Sequence, residues 1–165
     1  MQASLRKNQN TLYILGASVV IFGIWTIIKF FLSYYLGEGP LAETLHTTSQ
    51  DSGLSETAIY LGMMVFLLLD LLLRLFVGLS AMAEGQGRKK GRLYVVFAWI
   101  MTVFGALSVV LALAGIFMGD WISSESESLS DSIISLIIEF TAFIIILDLS
   151  VSAVRVKKLQ KQGVA

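Results

Sequence analysis

The sequence predicts an all-α integral membrane protein, a bundle of four spanning helices with both termini on the cytoplasmic side. Three observations predict it. Of the 165 residues, 56% are hydrophobic and only 15% are charged, against roughly 45–50% and about 25% in soluble domains. The apolar residues fall into four blocks, Thr11–Leu36, Thr57–Ala83, Leu93–Met118 and Ser132–Val154. Each exceeds the roughly 18 residues that mark a spanning helix. The charges sort by sign between the segments that join the blocks. What lies outside the four spans is too short for a further folded unit, so residues 1–165 read as one transmembrane domain.

The first span follows Arg6 and Lys7, as a signal peptide would. Its apolar core is longer than the roughly 7–15 residues of a signal sequence, and no small-residue cleavage site follows. It reads as a retained helix. The loop at 37–56, GEGPLAETLHTTSQDSGLSE, is Gly-, Ser-, Thr- and acid-rich, the composition of a solvated outer face. Its His46 has no second ligand at metal spacing. The second span leads into EGQGRKKGR at 84–92, a tight basic hairpin that fixes orientation and could attract anionic lipid. The third is followed by SSESESLSDS at 123–132, where Ser128 and Asp131 have the spacing of a helix cap for the fourth.

The formal net charge is zero, and the zero hides a separation. The N-terminus, the middle loop and the C-terminus carry ten bases: Arg6, Lys7, Arg88, Lys89, Lys90, Arg92, Arg155, Lys157, Lys158 and Lys161. Glu84 is the single acid beside them. The other two loops carry Glu38, Glu43, Asp51, Glu56, Asp120, Glu125, Glu127 and Asp131, with no Lys or Arg. Basic segments stay in the cytoplasm, so all three place both termini and the middle loop there. Tyr and Trp residues near the span ends suit the two interfaces. The absence of cysteine excludes disulfides, thiol catalysis and cysteine–zinc sites. It fits a bacterial cytoplasmic membrane.

Small residues recur at intervals of seven. Gly16 and Gly23 lie on one seam of the first span; Ala98, Gly105, Ala112 and Gly119 lie on one seam of the third. Small residues let helices approach in lipid, where apolar contact with tails already satisfies side chains. A seven-residue period suits left-handed, near-antiparallel packing. Offset by 82 positions, Gly16 meets Ala98 and Gly23 meets Gly105, which raises a duplication of two helical hairpins. FLLLDL at 66–71 against FIIILDL at 143–149 is the best match between the second and fourth spans.

Five ionisable residues stand within the spans: Lys29, Asp70, Arg74, Glu139 and Asp148. Each would cost about 2.5–3.5 kcal/mol at the centre of an inserted helix. Asp70 and Arg74, four apart, share a helix face and are expected to pair. Depth suggests pairing Lys29 with Glu139 and Arg74 with Asp148. Nine residues at about 100° each set Glu139 and Asp148 on opposite sides of the fourth helix, so one of them should meet a groove or a partner. Thr11, Ser18, Thr26 and Ser33 accompany Lys29 along its helix, as polar glue between helices or as a polar path.

There is no nucleophile–base set, metal-ligand cluster or phosphate loop, and one histidine cannot complete a serine triad from within a loop. The sequence therefore predicts no enzyme, no cofactor, no metal and no nucleic-acid partner. Its partners are expected to be the bilayer and either further copies of itself or another membrane protein. The leading expectation is an accessory or structural membrane component that uses intramembrane ion pairs for packing. The alternative is a small ion- or proton-coupled transporter or channel that uses the same carboxylates.

Overall fold

A computed structural model describes residues 2–36, 53, 55–88, 91–118 and 129–162. Among the described residues the chain is all-helical: α1 (Gln2–Leu36), α2 (Glu56–Gly85), α3 (Leu93–Met118) and α4 (Leu129–Gln162). All four are long and apolar enough to cross a membrane. His46, Gly119 and Ser128 lie outside the described residues, as does the side chain of Ala112.

The helix ends follow local chemistry. Ser55 caps α2, its hydroxyl accepting from the Ala58 N–H at 3.3 Å. At the other end the Gly87 N–H donates to Glu84 O at 2.9 Å and the Arg88 N–H to Ala83 O at 3.0 Å. This is a Schellman closure, and it needs the left-handed φ of +86° that Gly87 supplies. α3 starts where its apolar block starts. α1 and α4 run well beyond theirs, by nine residues at the N-terminus of α1 and eight at the C-terminus of α4. The extensions are rich in Lys, Arg and Gln and hold no Gly or Pro, so a helix has no reason to stop at the edge of the apolar block. Two of the three basic segments are thus helical.

The helices form a ring in chain order, α1 against α2 and α4, α3 against α4 and α2. Neighbours run antiparallel. Gly16 meets Gly78, and further along Gly23 meets Leu71 and Arg74. Phe76 stacks edge-on against Phe97 at 5.8 Å. Thr102 touches Ser150, and Gly105 touches Phe143. This up-and-down order brings the start of α1, the end of α2, the start of α3 and the end of α4 to one end of the bundle. The three basic segments converge there.

The tightest packing also lies toward that basic end. Leu12, Val19, Val77, Ala81, Tyr94, Ala98, Leu149, Ala153 and Val156 are almost wholly inaccessible. Between α1 and α2 the cause is glycine. A Cβ on Gly16 would stand 2.7 Å from Gly78 O, one on Gly78 2.7 Å from Gly16 O, and one on Gly85 2.7 Å from Gln9 O. α1 and α2 therefore touch backbone to backbone at positions seven residues apart. On α1, Gly16 and Gly23 both face α2, and Gly78 and Gly85 of α2 lie against α1 in turn. On α3, Ala98 is buried and Gly105 faces Phe143. Toward the opposite end, Trp25, Leu32, Leu61, Phe66, Leu111 and Ile137 are exposed. Acyl chains can solvate such side chains as well as a protein core can.

Candidate functional site

Among the described residues, two charged clusters lie within the helices. The first is the pair within FLLLDLLLRLF. One turn of α2 separates Asp70 from Arg74, and the Arg74 Nε donates to the Asp70 carboxylate at 2.6 Å. Both side chains are part-buried, Asp70 at 32% and Arg74 at 19% exposure. Arg74 lies over Gly23 of α1, where a Cβ would be 3.1 Å from the Arg74 Cδ. Gly23 is thus the notch in α1 that receives the arginine stem.

The second cluster was not expected. Glu84, in the last turn of α2, is fully buried. The Tyr94 hydroxyl at the start of α3 donates to its Oε2 in a short hydrogen bond. The Lys157 ammonium of α4 lies 2.8 Å from Oε1, in ionic contact though without the alignment of a hydrogen bond. The same ammonium is 5.5 Å from the centre of the Tyr94 ring, within cation–π range. A carboxylate is thereby held by α3 and α4 while belonging to α2. Since α2 and α4 are not ring neighbours, Lys157 reaches across the bundle to do it. The sequence carried one sign of this: Glu84 is the lone acid among ten bases. Its burial depends on the Schellman closure and on Gly85, which lets the end of α2 lie against Gln9 and Tyr13.

The remaining expected residues are not brought together. Lys29, Glu139 and Asp148 are all exposed, and among the described residues no ion pair joins Lys29 to Glu139 or Arg74 to Asp148. Equal depth is not proximity. Arg74 is already taken by Asp70 on its own helix, and Asp148 points out of the bundle. Glu139 lies on the opposite side of α4, the side that carries Ile146 and Ser150 into the core, yet is exposed because packing has loosened at that level.

The hydroxyl stripe on α1 also differs from expectation. Thr11 donates to Lys7 O at 3.1 Å, Ser18 to Ile14 O at 3.0 Å and Thr26 to Phe22 O at 2.9 Å. Each is satisfied by the preceding turn, so none glues α1 to another helix; the side chain of Ser33 is not described. Among the described residues, the hydroxyl contact between helices is elsewhere, Thr102 of α3 with Ser150 of α4 at 3.0 Å, both buried. Compared with known families, curated proteins and solved structures, the chain has no significant match.

Proposed function

We propose that this protein is a non-enzymatic, multi-pass component of a cell membrane of the bacterial cytoplasmic kind, with both termini in the cytoplasm. It serves as an accessory or structural element, and its interior charges hold helices together. The observation that carries this reading is Glu84. A fully buried carboxylate, clamped by Tyr94 and Lys157 from two other helices, is occupied in joining α2, α3 and α4. Asp70 is likewise engaged by Arg74. Duplication of a two-helix unit would account for the pairing of α1 with α2 and of α3 with α4.

A transport reading draws on one observation: Asp70 retains 32% exposure at mid-depth. Flux assays in liposomes separate the two. Wild type should pass no ion in a charge-dependent way, and Asp70→Asn and Glu139→Gln should leave the baseline unchanged. Ion or proton flux that Asp70→Asn abolishes would replace the structural reading with transport. Crosslinking in native membranes, followed by purification, identifies what the protein accompanies.

A further inference from the structure

Asp148 stands in the middle of the apolar stretch Leu136–Gln162, and its side chain is exposed on the outside of the bundle. Within a bilayer, on which the inference rests, an uncovered carboxylate at that depth is among the costliest placements a helix can make. Its surroundings indicate what covers it. Passing round α4, Phe143 and Ser150 face α3, Leu149 and Val156 are buried, and Asp148 follows beyond them. Passing round α1, Gly16 and Gly23 face α2, Leu12 and Val19 are buried, and Lys29 follows beyond them. At about 100° per residue, both charged side chains therefore border the same outer groove, between α1 and α4. Each belongs to a polar stripe: Thr11, Ser18 and Lys29 on α1, and Thr141, Asp148 and Arg155 on α4, aligned to within about 20° per step.

We propose that this groove is the interface with a second copy of the chain, in which Lys29 of each copy pairs with Asp148 of the other. The face is self-complementary. A twofold axis along the membrane normal through the groove sets each α1 opposite the other copy's α4, so one surface satisfies both charges twice. The interhelix contacts place Asp148 nearer the basic end than Lys29 by about seven residue rises, or ~10 Å. Side chains lean toward the N-terminus of their helix. Because α1 and α4 are antiparallel, Lys29 leans toward the basic end and Asp148 away from it, toward one another. The long lysine stem closes much of the remaining gap.

The chain has no cysteine, so a Lys29→Cys/Asp148→Cys variant in liposomes gives a direct test with a bis-maleimide about 10 Å long, a reach that two cysteine side chains alone lack. Treatment should yield a covalent dimer. Internally bridged monomer alone, or no bridged species in inserted protein, overturns the proposal. Energy transfer between differently labelled wild-type copies in dilute bilayers provides a second test that needs no altered residue in the groove. Transfer is expected, and monomeric wild type overturns the interface. Lys29→Asp or Asp148→Lys alone should lower the dimer constant about tenfold, equivalent to ~1.4 kcal/mol, and the double exchange should restore most of it. Equal loss in the double exchange also overturns it. These outcomes are independent of the flux assay, which tests the structural reading separately.

Discussion

The Lys157 ammonium lies 2.8 Å from a Glu84 carboxylate that solvent does not reach. Removing one member of such a pair leaves the other charge buried and alone, at a cost of about 3–5 kcal/mol. Lys157→Met should therefore destabilise more than Glu84→Gln, which keeps an acceptor for Tyr94. A double Glu84→Leu/Lys157→Met variant should be less damaged than the two single losses sum to. Unfolding in mixed micelles measures all of these. Additive losses would mean that the two groups are not coupled.

Tyr94 has a smaller part. Tyr94→Phe keeps the ring under Lys157 and removes only the hydroxyl that Oε2 accepts from. The expected loss is about 1–3 kcal/mol, that of one hydrogen bond to a buried group. No change in the unfolding midpoint would contradict the role assigned to it.

Gly16 and Gly78 should tolerate nothing larger. A methyl at either would press on a carbonyl oxygen 2.7 Å away, and backbone on both sides cannot rotate clear. Gly16→Ala and Gly78→Ala should each cost about 1–3 kcal/mol, the usual penalty of overpacking. Gly62, with nothing within 4 Å, is the control, and Gly62→Ala should be neutral or slightly stabilising. The comparison requires only thermal unfolding of purified protein.

Asp70→Asn leaves Arg74 without its counter-ion inside a span, where a lone charge costs about 2.5–3.5 kcal/mol. Asparagine keeps an acceptor for the guanidinium, so the expected loss is about 1–3 kcal/mol. Gly23→Leu fills the notch that holds the arginine stem and should also cost about 1–3 kcal/mol, by overpacking. Thermal unfolding measures both, and no loss from Gly23→Leu would remove the assignment of Arg74 as a packed group.

Topology is testable by single cysteines in the cysteine-free background. Ser49→Cys in the acidic loop should react with an impermeant maleimide applied to intact cells, and Gly91→Cys in the basic hairpin should react only after permeabilisation. The opposite pattern would invert the orientation proposed here.

The sequence by itself determined four long helices, because the length of an apolar block and its lack of breakers are local properties. It determined the segregation of charge, and it determined the Asp70–Arg74 contact, because residues four apart on a helix meet whatever the rest of the chain does. The glycine seam on α1 was legible for the same reason. Its counterpart on α2, Gly78 and Gly85, was not, since which helix faces the seam is set by how the chain is threaded. Tertiary structure alone decided that Glu84 is buried against Tyr94 and Lys157, two residues that read as an interfacial aromatic and an ordinary basic-tail lysine. It alone decided that Lys29, Glu139 and Asp148 do not meet one another within the chain. Depth can be counted along a helix, but rotation about its axis relative to a neighbour is fixed only when the two helices touch; here three glycine contacts fix it between α1 and α2, and Gly105 against Phe143 with Thr102 against Ser150 fix it between α3 and α4.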